Sequence, residues 1–398
     1  MTVKLPLYAK LVTILLGIVL VVFVMKVAKS VLVPLLISGL LAVAISPLAG
    51  WFEKRKLPRV LSDILSVLLL LAFLGALGYV MYNQVVGLAG EVGIIEQRIL
   101  QIMEDINQFI ERYIEGVLPI QPGNIQESIA NYFSVNMAAI TEGAIATITS
   151  LTMLLIFPVY IFLFLYFRRF LLQFVLMVFK EQYRPTVSEV VEKVKGVVRN
   201  YIVGMFIVII ILSILNSITL YSLGIRHALF FALFAALLNV IPYVGPFIGA
   251  TLPITFALLT KDSLWYPVGV FLAFYIIQNI EGNFLTPKIV GSKVSMNPFM
   301  TIVALFVGNF IWGLAGMILF IPGMAILKVI FDVIPGMEPY GFLLGTNKIA
   351  LKPKNKPVIK DANASRVGNS FIQRFLTYLT SLFVRIFSFK ITNSKNHP

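Results

Sequence analysis

No cysteine occurs in the 398-residue chain, and there are only two histidines, His227 and His397. The lack of cysteine excludes a disulfide scaffold, a thiol nucleophile and a thiolate-bound metal. The two histidines are far apart in sequence, and a single histidine near the start of a helix is more often structural than catalytic. The sequence therefore predicts no metal site and no cofactor.

Charged side chains are also scarce. They make up 13% of the chain, against about 25% in a typical soluble domain. Hydrophobic residues make up 59%, and the mean hydropathy is +0.93. A chain this apolar cannot cover a water-facing surface, so lipid must be part of its solvent. We therefore predict an all-α polytopic membrane protein.

The chain lacks the short motifs of common catalytic sites. It has no GxxxxGK[ST] phosphate loop, no HExxH zinc motif and no GxSxG nucleophile elbow. Aspartate and glutamate are nearly absent from the long hydrophobic segments. We therefore predict that the protein is not an enzyme.

About eight segments are hydrophobic enough to cross a bilayer, which takes about 20 apolar residues in a helix. Two of them are too long for one straight crossing and contain several glycines and prolines, so we count each once as an interrupted helix. The predicted spans are 11–25, 31–50, 62–86, 146–167, 200–223, 228–260, 264–285 and 298–334.

These spans divide the chain into four regions. Residues 1–86 hold a transmembrane hairpin and a third span, and 87–145 form an insertion. Residues 146–344 form a C-terminal transmembrane bundle with interrupted helices, and 345–398 form a basic tail.

The net charge of +14 has a distribution that points to membrane lipid rather than to nucleic acid as a partner. Lysine and arginine cluster in 51–61, in 168–200 and in the tail, whereas 87–145 carries eight acids, two arginines and no lysine. The positive-inside rule then makes the insertion external and both termini cytoplasmic. Lys26 and Lys29 fall on the external side, against the rule.

Three segments have amphipathic helical patterns. Residues 95–113 place apolar side chains at alternating spacings of four and three, so the predicted external helix packs either on its own chain or on a neighbouring subunit. Residues 187–198 predict a helix along the cytoplasmic surface. Residues 371–390 of the tail predict a basic interfacial helix, and a ninth span is the alternative.

Two irregular features stand out within the spans. Pro242 and Pro246 interrupt the sixth span, and freed backbone groups in a bilayer must face protein or a water-filled cavity. Gln278, Glu281 and Asn283 crowd the end of the seventh span, with Lys288 as the nearest candidate partner for the carboxylate. The alternatives are a helix kink that only shapes packing and a polar cap in headgroup water.

These segments resemble the AI-2E family of bacterial inner-membrane transporters, also called the autoinducer-2 exporter family. The resemblance rests on the order of the motifs NVIPYVGPFIG, QNIEGNFLTPKIVG, NP, GLAG and IPG, which begin at residues 239, 278, 297, 313 and 321, and it covers about 8–335. The motif residues carried over as transport-path or gate residues are Asn239, Pro242, Gly245, Pro246, Gly249, Gln278, Glu281, Asn283, Pro287, Lys288, Asn297, Pro298, Gly313 and Gly316.

The resemblance implies eight spans, two cytoplasmic termini and export of a small solute, with autoinducer-2 as the namesake. It also implies a homo-oligomer, with a pentamer as one candidate. We predict a secondary transporter or exporter of a small molecule or ion, with Glu281 as a proton or cation site. The alternative is a non-transporting membrane scaffold that acts through its external helix and its tail.

Overall fold

A computed structural model of the chain describes residues 6–89, 151–290 and 296–345, together with six single positions of the insertion. These positions are Gln97, Arg98, Gln101, Glu104, Gln108 and Arg112, and all six are helical. The apolar positions predicted for the 95–113 helix lie outside the described residues, and so does the predicted tail helix.

Every regular element in these ranges is helical. Long apolar runs favour helices in a bilayer because a helix satisfies its backbone polar groups internally. The helices are α1 (Leu7–Val27), α2 (Lys29–Lys54), α3 (Arg59–Ala89), α4 (Leu151–Tyr166), α5 (Arg168–Val178), α6 (Arg184–Ser222), α7 (Ala228–Leu238), α8 (Val244–Thr260), α9 (Trp265–Ile280), α10 (Thr286–Ile289), α11 (Pro298–Trp312), α12 (Leu314–Phe331) and α13 (Glu338–Leu344). A π-helical turn, Glu281–Leu285, joins α9 to α10.

Five of the described helical stretches are long and apolar enough to cross a membrane. They contain α2, α3, α6, the run from α9 through α10, and α12. A sixth is added if α4 and α5, which meet at a bend of 63°, are taken as one span. The apolar helices α1, α7, α8 and α11 are shorter. The structure thus confirms a helical multi-pass architecture, while the count of eight stays a prediction.

The chain divides into two compact units, Met1–Ile326 and Leu327–Pro398. The second unit is described as far as Gly345, and it holds the end of α12 and the short helix α13. Within it, Lys328 donates to Asp332 at 2.6 Å. The Asp332 carboxylate lies so close to Gly341 that a Cβ at Gly341 would collide with it. All the features below lie in the first unit.

One end of the first unit, which we call the insertion end, brings together loops that are distant in sequence. Arg98 of the insertion donates to the Asp262 carboxylate at 3.3 Å, in the loop between α8 and α9. In the loop between α6 and α7, a Cβ on Gly224 would lie 3.3 Å from the Lys261 Nζ. A Cβ on Gly87, near the end of α3, would lie 3.2 Å from the His227 ring. The loops before α7 and after α8 are therefore at the same end.

The opposite end, which we call the basic end, is where α2, α3 and α4 meet. Arg168 forms an ion pair with Glu53, the penultimate residue of α2. Arg59, the first residue of α3, donates to the main-chain carbonyl of Tyr166 at the end of α4. Lys54, Arg55 and Lys56 lie in the same turn, so this end carries the dense basic sequence.

Segment 228–260 is a helical hairpin rather than one interrupted crossing, which corrects the sequence-based interpretation. The Phe231 and Phe256 rings have centroids 4.9 Å apart, and a Cβ on Gly249 would lie 2.8 Å from the Ala235 Cα. Pairs this far apart in sequence meet only if α8 runs antiparallel to α7. With 11 residues, α7 is about 16 Å long, too short to cross a hydrocarbon core of about 30 Å.

Segment 298–334 also turns back. The connection between α11 and α12 is the single residue Gly313, which has φ +66°. Gly308 and Gly316 touch through their backbones, because a Cβ on Gly308 would lie 2.5 Å from the Gly316 carbonyl oxygen. In a straight helix, residues eight apart are separated by about 12 Å. This segment therefore supplies two helices that meet at a corner, where we expected one interrupted crossing.

The predicted surface helix 187–198 is the first part of α6, which continues unbroken to Ser222. Val197 and Val198 are buried, so the apolar side of this segment meets protein. Its apolar spacing was therefore an internal packing signal. The helix that turns away from a span at the basic end is α5, as the 63° bend shows.

Candidate transport site

A buried acidic residue follows directly after α9, as the first residue of the π-helical turn. Glu281 is only 9% exposed and is held between helices. Pro287 follows six residues later and lacks the N–H that an α-helix would use. A π-turn commonly accommodates such a break and often occurs at functional sites. The irregular turn thus places a carboxylate inside a predicted membrane span.

Both oxygens of Glu281 accept hydrogen bonds from neighbouring side chains. Gln278 donates to Oε2 at 2.8 Å, from one turn earlier in the same helix. Thr286 donates to Oε1 from the far side of the π-turn. The same Gln278 amide also lies 3.5 Å from the Asn239 Oδ1, in the turn between α7 and α8. Gln278 therefore links the carboxylate to the tip of the hairpin.

The other polar residues of this cluster lie elsewhere. Asn283 is exposed and donates to the Asn279 carbonyl oxygen at 3.0 Å. Pro287 and Lys288 are exposed too, and no ion pair joins Lys288 to Glu281 within the described ranges. The suggested carboxylate–lysine pair is therefore replaced by the hydrogen bonds from Gln278 and Thr286.

The hairpin tip has an unusual backbone. Tyr243 adopts φ +65° and ψ −52°, and the Val244 amide donates to the Pro242 carbonyl at 2.8 Å. This is a γ-turn of the rare, strained hand, at a residue that has a side chain. Pro246 lies in the first turn of α8, where its missing N–H has no helical partner to lose. The two prolines thus shape a turn and a helix start, not the interior of one helix.

The motif glycines on α8 allow the hairpin to close. A Cβ on Gly245 would collide with the Leu238 carbonyl at the end of α7. One turn later, Gly249 lies directly against Ala235. Both glycines are buried. They bring the backbones of α7 and α8 together and so position Asn239 near Gln278.

The remaining motif residues lie at the start of α11 and at the α11–α12 corner. The Asn297 side chain accepts from the Phe299 amide at 3.0 Å and caps α11, in which Pro298 is the first residue. At the corner, Trp312 donates from Nε1 to the Met25 carbonyl at 2.8 Å. Gly313 and Gly316 thus shape a corner that packs on the connection between α1 and α2. The structure thus brings together Asn239, Gln278 and Glu281. The four motif residues at the start of α11 and at the corner have a separate, structural role: Asn297, Pro298, Gly313 and Gly316.

We expect alanine substitutions to destabilise the protein at glycines that touch another backbone, but not at a glycine with open space around it. Gly245→Ala and Gly316→Ala should each destabilise the protein by about 1–3 kcal/mol, because the new methyl group must push two backbones apart. Gly78→Ala is the matched control. A Cβ at Gly78 meets nothing within 4 Å, and alanine is the better helix former. Thermal unfolding of the detergent-solubilised protein measures the difference, and equal unfolding temperatures for all three variants would contradict the close packing.

Some buried polar residues were missed in the motif-based selection. The half-buried Thr286 was missed too, because its contact with Glu281 depends on the π-turn. On α6, Asn216 is buried and its Oδ1 has no hydrogen-bond partner among the described residues. Ser213 is buried on the same helix and donates to the Ile209 carbonyl. The sequence did contain a signal for Ser213 and Asn216, because both are polar residues in an otherwise apolar predicted span.

A charged cluster at the basic end was also missed. Asp63 is fully buried, 4.0 Å from the Arg59 Nε. Neither of its carboxylate oxygens has a hydrogen-bond partner in the described part of the chain. Glu53 and Arg168 pair beside them, so the cluster holds two acids and two bases. Arg59 also satisfies the terminal carbonyls of α4 at the bend into α5, as cations do at helix C-termini.

The fold and the site define a multi-pass helical membrane protein with a buried polar site between a helical hairpin and an irregular membrane helix. The model of the protein family described as "AI-2E family transporter" matches residues 11–336. The chain therefore belongs to the AI-2E transporter family. "Putative transport protein YrrI" of Bacillus subtilis is 29% identical over 316 residues, which covers 76% of this chain and 86% of that protein. "Putative transport protein YhhT" of Escherichia coli is 24% identical over 325 residues, 81% of this chain and 90% of that protein.

Proposed function

We propose that the protein is a secondary transporter, acting as an exporter, that moves a small solute across a bacterial inner membrane. The observation that carries this proposal is Glu281, a buried carboxylate tied through Gln278 to the tip of the α7–α8 hairpin. A carboxylate within a membrane span is costly and usually marks an ion or substrate path. Interrupted helices are a common location of transporter binding sites.

The hydrogen bonds suggest how the site responds to an ion. Ionised Glu281 accepts from both Gln278 and Thr286. A proton or a monovalent cation on the carboxylate competes with these donors. Release of the Gln278 amide then weakens its link to Asn239 at the hairpin tip. In this proposal, loading of Glu281 controls how firmly the hairpin is held against α9, and no chemical bond is made or broken.

The cargo follows from the family only as a class. We propose a small polar solute, with the autoinducer-2 signal as the family's namesake candidate, or an ion-coupled cargo. Solute flux in proteoliposomes with imposed pH and sodium gradients tests this directly. The scaffold alternative predicts no flux with any gradient.

We further propose eight crossings, distributed differently from the expected set. They are α1, α2, α3, α4, α6, α9, α11 and α12, while the α7–α8 hairpin enters from the insertion end and returns to it. The basic end then faces the cytoplasm by the positive-inside rule, and the termini lie inside. The acidic insertion is external, and its Arg98–Asp262 contact supports an external loop between α8 and α9.

Single cysteines test this arrangement cleanly because the natural chain contains none. In intact cells, Asp262→Cys and Glu104→Cys should react with a membrane-impermeant maleimide. Lys56→Cys at the basic end should react only after the membrane is permeabilised. If 228–260 were a single crossing, residues 262 and 104 would be labelled from opposite sides, and that result would contradict the hairpin.

A homo-oligomer, with a pentamer as one candidate, is also part of the proposal. Tyr275, Asn279 and Asn283 lie exposed at four-residue intervals along α9 and the following π-turn. Polar side chains that face hydrocarbon are unfavourable, so a second copy packed on this stripe would remove the cost. Asn279 of this stripe follows directly after Gln278 and lies two residues before Glu281, which would place the subunit contact beside the transport site.

A further inference from the structure

Helix α5 carries a surface that the transport proposal does not use. None of its 11 residues is buried. The exposed fractions of its large apolar side chains include 60% at Phe170, 55% at Phe174 and 67% at Met177. The opposite side, which includes Leu172 and Val175, is half-buried. The helix therefore packs on the protein with one face and presents an apolar face outward.

The orientation of α5 is fixed where it leaves α4. The two helices meet at 63°, and the freed carbonyls of α4 accept hydrogen bonds from Arg59. Arg168, the first residue of α5, is held by Glu53. A helix that turns through such an angle at the end of a membrane span runs along the bilayer surface rather than across it. This places the apolar face at the depth of the upper acyl chains.

The charge of this segment is one-sided. Residues 168–180 contain three basic residues and no acidic residue. Arg168 forms an ion pair with Glu53, but Arg169 and Lys180 form no ion pair with any described residue. Both are exposed. Arg169 lies on the same side of the helix as Gln173, four residues later, and Lys180 lies just beyond the helix end.

We propose that α5 is an interfacial helix that binds anionic phospholipid headgroups, with its apolar face in the acyl region and Arg169 and Lys180 on the phosphates. The occupant is lipid because the face is apolar, the charged residues of 168–180 are all basic, and the helix continues from a membrane span. In the proposed topology this is the cytoplasmic leaflet. The inference holds for any cargo and does not depend on Glu281.

Site-directed spin labelling of the full chain in nanodiscs tests the position of the helix. Nanodiscs with phosphatidylglycerol are used, and a single label is placed by Met177→Cys or Leu172→Cys. At 177 we expect high accessibility to oxygen and low accessibility to an aqueous nickel chelate. At 172 both should be low, because that side packs on protein. Free access of the nickel chelate to 177 would overturn the proposal, and so would spin–spin broadening there, which would show a second copy on this face.

The selectivity of the protein for anionic lipid tests the proposed role of Arg169 and Lys180. Native mass spectrometry of the full chain gives the apparent Kd of the most tightly bound phosphatidylglycerol, and phosphatidylcholine is the neutral comparison. The Arg169→Gln/Lys180→Gln double variant should raise the phosphatidylglycerol Kd by up to about 30-fold at low salt, the effect of two basic residues near an anionic surface. Lys29→Gln/Lys261→Gln removes two charges from the insertion end and should leave this Kd unchanged. Equal shifts in the two double variants would overturn the assignment to α5.

Discussion

Glu281→Gln is expected to reduce gradient-coupled flux in proteoliposomes by roughly 10- to 100-fold while the protein still folds. Glutamine has nearly the same volume and can still accept from Thr286, but it cannot exchange a proton or offer a full negative charge. Hydrogen bonds to a charged group contribute about 1.5–3 kcal/mol, and about 1.4 kcal/mol corresponds to a factor of ten. The new amide faces the Gln278 amide, which must rotate and so loosens its link to Asn239.

The matched control is Glu192→Gln on α6, which removes an exposed carboxylate paired with Lys195. Its flux should equal that of the wild type. Wild-type flux in Glu281→Gln would eliminate Glu281 as the coupling site. An unfolded variant would indicate that the carboxylate is structural. Thr286→Val, which removes the other hydrogen-bond donor to Glu281, is the companion variant.

Arg59→Ala is expected to lower the free energy of unfolding by about 1–3 kcal/mol. The substitution removes a cation that lies 4.0 Å from the fully buried Asp63 carboxylate, and a buried polar group that loses its partner costs about 1–3 kcal/mol. The substitution also removes the hydrogen bond from Arg59 to the Tyr166 carbonyl at the end of α4. Chemical denaturation of the solubilised protein, followed by circular dichroism, measures the loss.

A double-mutant cycle separates the two contributions. Adding Asp63→Asn to Arg59→Ala removes the stranded charge, so the double variant should be more stable than Arg59→Ala alone. The control is Lys193→Ala, whose partner Glu189 is exposed, and it should have no measurable effect. Strictly additive losses in the cycle would mean that Arg59 acts only on the α4 carbonyls.

The sequence was sufficient for the helical membrane class because periodicity and length carry that information. The same reasoning failed at 228–260, where the hydrophobic run is long enough for one crossing. Whether such a run continues or folds back depends on contacts such as Gly249 with Ala235, and composition does not encode them. Pro246 looked like a helix break but lies in the first turn of α8, a position that only the location of the Tyr243 turn reveals.

The candidate site was also predictable only in part. Gln278 and Glu281 are three residues apart, so a helix places them on one face, and the structure joins them. Asn239 is 39 residues away from Gln278, and their proximity depends on the hairpin. Lys288 was the nearest charge in sequence, but the π-turn places Thr286 beside Glu281 instead. Asp63 was missed because one acid next to basic residues resembles an ordinary interfacial charge until its burial is known.

The most direct test of transport is flux through the wild-type protein itself. Proteoliposomes containing the full chain are loaded with candidate polar solutes, including autoinducer-2, and pH or sodium gradients are imposed across them. We predict solute-dependent dissipation of at least one gradient, faster than in protein-free vesicles and strongly reduced in Glu281→Gln. Correctly folded, reconstituted wild-type protein that leaves every gradient as stable as in protein-free vesicles would contradict the account.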